Sequence, residues 1–309
     1  MTAEPDFWKA GGKELSERVE ALLESCGSET PVPETLFHFT DCTGLGGILT
    51  TKVLWASLAT SLNDASETKY AISRLCAHLK QGTIRPQHIP ADLLRDFLQR
   101  RVQIEGLIND SRAYVISFCG GSDEAIHWLH YGRSGTGVAV GFEAARLKAE
   151  QFSLCPVIYD PARQDELLIS LVTLVDDFAG AFADKAFPAA NDHRARLDAV
   201  ACHLLTMYLR LMSPRLKDPA FKAENEWRLI TNEAWTPREG IATRDTYFRA
   251  TGSRVVPYKE IKFETLPVTE IVLGASSPMQ DDEQAIAVLM ENTLGKTSPV
   301  RRSTVAVRP

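Results

Sequence analysis

The sequence predicts an α+β protein, a compact split or bent mixed sheet with peripheral helices. Three observations carry that expectation. Short apolar runs such as Leu36–Thr40, Val53–Ser57, Ala113–Cys119 and Val138–Phe142 read as strands. Between them lie amphipathic stretches at helical spacing, but never in the strict strand–helix alternation of a doubly wound sheet. No internal repeat is visible. At 309 residues and 44% hydrophobic, the chain can bury a large core.

In chain order, residues 1–30 read as a loose arm and one helix, with Leu15, Val19, Leu22 and Leu23 on its apolar face. A single α+β domain is expected over 31–292. Leu36–Thr40 is an aromatic-rich strand, Leu45–Leu49 a helical turn and Val53–Ser57 a second strand. Ser61–Asp64 forms a turn, because Asn63 and Asp64 bond nearby backbone amides. A helix follows through Ala71, Leu75 and Leu79, with Ser66 as its cap. Pro90 suits the first turn of the next helix, whose stripe is Leu93, Leu94, Phe97, Leu98 and Ile104.

Ala113–Cys119 is an interior strand. Ser122 caps a helix opened by Asp123 and Glu124 and carrying His127, Trp128, His130 and Tyr131. Gly132–Gly137 is a tight turn into the buried strand Val138–Phe142, and Cys155–Tyr159 is another strand. The stretches 164–187 and 192–212 make a helical insertion at about 162–214. Strand returns at Phe221–Ile230 and again from Gly252 to Phe263, where Pro257 marks an edge or a bulge. Ile271–Gly274 is a last short strand, 280–292 a helix, and 293–309 a flexible tail.

The formal charge of −6 gives no general attraction to phosphate backbones or anionic membranes. No apolar run has the length to span a bilayer and residues 1–12 do not read as a basic leader followed by an apolar segment, so a cytoplasmic protein is expected. The six cysteines form no CxxC pair and read as free thiols. His127 and His130 lie one turn apart without a third ligand nearby, so no metal is expected. The Gly132–Gly137 stretch lacks the Lys-Ser/Thr ending of a phosphate loop, and a strand follows it rather than a helix.

The richest stretch is Phe221–Glu233. At a strand's period of two, Glu224, Glu226 and Arg228 point to one face ahead of the apolar Leu229 and Ile230. Such a face is either a polar cleft or a salt-bridged surface, with Glu226 paired to Arg228. His38, between Phe37 and Phe39, is either a ligand group or a satisfied histidine at the core margin. Asn63 either caps the next helix or binds a ligand. Trp128 and Tyr131 either anchor their helix or, with Trp55 as a further option, offer a stacking surface.

Five segments together resemble the bacterial domain of unknown function 2971 family. They are Leu36–Thr40; Val53–Ser57 running into Ser61–Glu67; Ile116–Cys119 with Ile126–Tyr131 and Gly137–Phe142; Ala223–Ile230; and Leu266–Gly274. They span roughly residues 34 to 280. The layout is similar to the ADP-ribosyltransferase superfamily, which implies NAD as the substrate. In that pattern His38 matches the first-strand group that fixes the nicotinamide ribose, and Glu226 matches the later-strand carboxylate. Glu224 orients the acceptor or acts as its base. The middle position departs from the pattern: Ser57 fits the order, with Tyr70 and Tyr131 as the other options.

The resemblance further implies a nucleotide site completed by Asn63, Trp128 and Arg228, and an acceptor that is a protein side chain, a nucleic acid or water. The alternative it implies is a catalytically silent ligand-sensing or protein-interaction domain in bacterial stress or phage defence.

Overall fold

The computed structural model describes residues 11–61, 66–103, 113–147, 152–231, 246–251, 254–277 and 282–307. The turn carrying Asn63 and Asp64, and Ile104, lie outside these residues. The architecture is an open mixed sheet with peripheral helices, as its interrupted strand pattern predicts.

The sheet runs β10 (Val300–Arg302), β9 (Val268–Leu273), β4 (Val138–Glu143), β1 (Thr35–Thr40), β3 (Tyr114–Cys119), β2 (Val53–Leu58), β8 (Arg254–Lys262) and β7 (Tyr247–Thr251). β6 (Glu226–Thr231) lies on the other edge of β3, and β5 (Phe152–Pro156) lies beyond β6. β10 pairs with β9 in parallel, and the remaining ladders are antiparallel.

β3 organises the sheet. On one side it pairs with β6 along its length, from Val115↔Ile230 to Cys119↔Glu226. On the other its start pairs with β2, at Tyr114 and Val115, and its end with β1, at Cys119. The sheet therefore forks at Ser117, where the partner changes from one strand to the other.

One face of the sheet is covered by α2 (Cys42–Thr51) and α9 (Asp282–Leu294). Leu36, Leu54, Phe118, Val140, Phe142, Leu229 and Ile271 pack there with Leu49 and Met290. A separate helical layer has its own apolar core. It contains α1 (Lys13–Glu24), α3 (Ser66–Gln81), α4 (Ala91–Gln103), α6 (Pro161–Ala186), α7 (His193–Val200) and α8 (Thr206–Met212). The expected insertion corresponds to α6–α8. Asp160 caps α6 through the Ala162 amide, with Pro161 at the first helical position where it loses no bond.

Four local expectations are corrected. Phe221–Glu224 is not strand: a 3-10 turn over Pro219–Glu224, capped by Asp218, precedes β6. Ser122 does not cap α5 (Ala125–His130); its hydroxyl accepts from Arg301, and the N-cap residue is Glu124. The strand expected at Cys155–Tyr159 lies earlier, at Phe152–Pro156, and ends where α6 is about to begin.

Part of the expected tail is also held. Val300–Arg302 form β10, and Asp123 accepts from the backbone and hydroxyl of Thr304 at 3.0 and 3.1 Å and from Ser303. Val307 packs with Trp128, Phe37 and Val272. These short apolar contacts carry no helical or strand period long enough to be seen in the sequence. Pro257 lies just past the last β2–β8 pair, Ser57↔Tyr258, so its missing donor breaks no bond to β2.

Candidate active site at the fork

His38 fills the fork. Its Nδ1 lies 2.9 Å from the carbonyl oxygen of Ser117, at the point where the β3 ladder changes partner. A carbonyl only accepts, so Nδ1 carries the proton and Nε2 is left with a lone pair. The ring meets Phe118 edge-on at 5.9 Å. Burial holds its pKa below the ordinary value, against the hydrogen bond to Ser117.

Across β3 the chain approaches through an unusual turn. Asn225 has φ +41°, in the left-handed region that Asn tolerates better than most residues. That turn ends the 3-10 segment and starts β6, so Glu224 and Glu226 flank a bend rather than sharing one strand. Both are nonetheless buried, at 6% and 8% exposed.

Their charges are matched in place. Arg228 grips Glu226 with two nitrogens, Nε to Oε1 at 2.8 Å and Nη2 to Oε2 at 2.9 Å, and its Nη1 donates to the Pro214 carbonyl at 2.8 Å. Lys217 Nζ bridges the two acids, 2.5 Å from Glu224 and 3.1 Å from Glu226. Ser117 adds a hydroxyl hydrogen bond to Glu226. Burial alone would raise the Glu226 pKa, but Arg228, Lys217 and Ser117 outweigh it and hold the carboxyl at about 2. Glu226 is therefore a fixed anion.

Helix α5 closes the site from the side. His127 Nε2 lies 2.7 Å from the Glu224 carbonyl, so Nε2 is its protonated nitrogen, and its buried Nδ1 has no partner among the described residues. Tyr131, the C-cap of α5, donates to Glu224 Oε1 at 3.2 Å. Burial and then Glu224 push its phenol up to about 12. The helix is locked by Trp128, whose Nε1 donates to Asp123 at 2.9 Å and whose ring meets Phe39 at 4.8 Å. Gly132 lies so close that a Cβ there would stand 2.5 Å from the Trp128 ring.

These groups enclose a pocket of about 400 Å³ counted to its open mouth. Phe37, His38 and Phe39 contribute from β1, Ser117 to Cys119 from β3, His127 and Tyr131 from α5, and the two glutamates from the opposite wall.

The residues expected from the sequence divide accordingly. His38, Tyr131, Glu224 and Glu226 meet in the pocket, with Arg228 behind Glu226. Trp128 is fully buried under α5 and has no surface to offer a ligand. Ser57, on β2, accepts from Arg249 at 2.8 Å outside the pocket lining. Tyr70 is in the helical layer, bonded to Gln164 at 2.7 Å. Asn63 lies outside the described residues.

Ser117 and Lys217 carry no signal in the sequence, and His127 reads there only as a metal-ligand candidate beside His130. Ser117 sits within a strand that reads as apolar, and Lys217 within Pro214–Asp218, which has no periodicity. His127 carried only a weak signal, its one-turn spacing from His130, and that histidine is exposed.

Residues 127–229 match the family model described as Protein of unknown function (DUF2971). The chain contains a DUF2971 domain. The matched stretch begins at the buried His127 and ends one residue past Arg228, so it holds Tyr131, Lys217, Glu224, Glu226 and Arg228 together. His38 and Ser117, outside that stretch, complete the pocket lining. No curated protein and no solved structure matches the chain. Among the described residues, no helix is long and apolar enough to cross a membrane.

Proposed function

We propose that the pocket binds the nicotinamide ribose of NAD and breaks its C1′–N bond, making the protein an ADP-ribosyltransferase-like enzyme. The observation that carries this reading is the meeting of an ionised Glu226 with the Nε2 lone pair of His38 in one pocket. Nicotinamide leaves a pyridinium ribosyl group as a neutral molecule, taking the bonding electron pair onto its own nitrogen. No general acid is needed. What the step requires is an anion beside the ribose as positive charge develops at C1′. A carboxylate with a pKa near 2 is suited to that task and unsuited to protonating a sugar oxygen.

In this reading His38 Nε2 accepts from a ribose hydroxyl, and Glu226 stabilises the ribosyl cation. Glu224 accepts the proton of the acceptor as its nucleophile bonds to C1′. The acceptor is a cytoplasmic protein side chain, a nucleic acid or water. Lys217 and Arg228 are positioning residues that hold both acids in a buried wall and keep Glu226 ionised. The test is nicotinamide release from NAD by the purified protein beside Glu226→Gln and His38→Ala, with both variants checked for folding. Loss of release in Glu226→Gln with retained NAD binding supports the reading.

A second reading is favoured by the two-nitrogen grip of Arg228, which already occupies both oxygens of Glu226. In it the domain is a silent nucleotide sensor or protein-interaction module, of use in bacterial stress or phage defence. Calorimetric NAD binding without nicotinamide release supports that alternative.

A further inference from the structure

Beside the fork, three aromatic rings lie in a row across the other end of the sheet. Trp55 on β2 meets Tyr258 on β8 at 4.5 Å between ring centroids, with 32° between planes. Tyr258 meets Tyr247 on β7 at 5.6 Å and 29°. The register places Ser57 and Tyr247 on either side of Tyr258, so all these side chains share one face. Tyr258 is buried in the middle, while Trp55 and Tyr247 are 46% and 43% exposed. Two large rings open to water at the ends of a ladder make a surface on which another flat ring can lie.

Arg249 adds the second observation. Its guanidinium stands 5.9 Å from the Trp55 ring, and Nη2 donates to Ser57 at 2.8 Å. Its Nε is buried and has no acceptor, and among the described residues no carboxylate forms an ion pair with it. Glu260, the acid on the same face, is 3.6 Å from Lys262. A half-buried guanidinium with no ion-pair partner among the described residues is a fitting partner for an oxyanion, met through its outer nitrogens since Nε is buried.

We infer that the β2–β8–β7 face is a second binding site, for a nucleobase carried next to a phosphate. The base stacks on the Trp55–Tyr258–Tyr247 ladder, and Arg249 takes the phosphate. A free nucleotide and a single-stranded nucleic acid present the same chemistry. The net charge of −6 favours the free nucleotide, since a long polyanion gains nothing from the rest of the surface. None of its residues lines the pocket, but the Arg249 charge helps lower the His38 pKa, so Trp55→Ala is the arm that tells the two sites apart.

The experiment is calorimetric titration of the full chain with AMP, with adenosine and with a short oligodeoxyadenylate. Wild type should bind AMP, and Trp55→Ala should weaken it at least about fivefold, as expected for loss of one base–aromatic stack. Trp55→Phe, which keeps a ring, should stay near wild type. Arg249→Gln should weaken AMP but leave adenosine little changed. Oligonucleotide binding much tighter than AMP and steeply salt-dependent would assign the site to single strands, and equal affinity to free nucleotides. The inference is overturned if neither AMP nor the oligonucleotide binds, or if binding ignores both Trp55→Ala and Arg249→Gln.

Discussion

Replacing Arg228 by Met should cost about 3–5 kcal/mol of stability, the usual result of stranding one charge of a buried pair. Arg228 is 1% exposed and makes two hydrogen bonds to Glu226 and one to the Pro214 carbonyl. With Lys217 it balances two acids by two bases; without it one buried negative charge is in excess. The displacement of Glu226 from an ordinary 4.5 to about 2 gives the same scale independently, about 3 kcal/mol.

The sign follows from the direction of that displacement. A carboxyl with a depressed folded-state pKa stabilises fully above its unfolded value near 4.5, and the contribution is lost as pH falls toward 2. Urea denaturation should therefore show the largest gap between wild type and Arg228→Met at about pH 7, with roughly half gone by about pH 3. The double variant Arg228→Met/Glu226→Gln, again charge-balanced, should be more stable than the single one. A single variant within about 0.5 kcal/mol of wild type, or a gap that does not change with pH, would refute the reasoning.

Other parts of the fold give sharper local tests. Asp176, buried within α6, accepts from the backbone amides of Gln87, His88 and Ile89, so Asp176→Ala should cost about 3 kcal/mol by leaving those donors unmet, measured by thermal or urea unfolding. Gly132→Ala forces a methyl into the Trp128 ring and should cost about 1–3 kcal/mol, with a lowered Tm as the readout. Asp123→Ala removes the acceptor shared by Trp128, Ser303 and Thr304; amide hydrogen exchange should rise over residues 300–305 while β4 stays protected.

Much of this architecture is legible from periodicity alone. Leu36–Thr40, Val53–Ser57, Ala113–Cys119 and Val138–Phe142 are strands because each offers a short run of β-branched, aromatic and apolar residues between turn formers. The long helices declare themselves by spacing. The left-handed Asn225 does not: it breaks a stretch whose alternating charges look like uninterrupted strand, so Glu224 was placed one element too far along.

The site is partly legible for the same reason. Charged residues in apolar surroundings stand out, and His38, Glu224 and Glu226 do meet. Groups that act through long-range contact leave no local trace. Lys217 reaches both acids only because the chain leaving α8 pairs with Ile158 just past β5, and Ser117 reaches Glu226 only through strand pairing. Trp128 misled because a Trp in a helix looks the same in sequence whether it faces a ligand or a core.

The most direct measurement compares nicotinamide release from NAD with release of the reduced ring from NADH, in wild type and Glu226→Gln. A site with a fixed anion and no acid can expel only a leaving group that departs neutral from a cation. Release from NAD, none from NADH, and loss of the NAD reaction in Glu226→Gln is the result this account predicts. No release from NAD, or release that Glu226→Gln leaves unchanged, would contradict it.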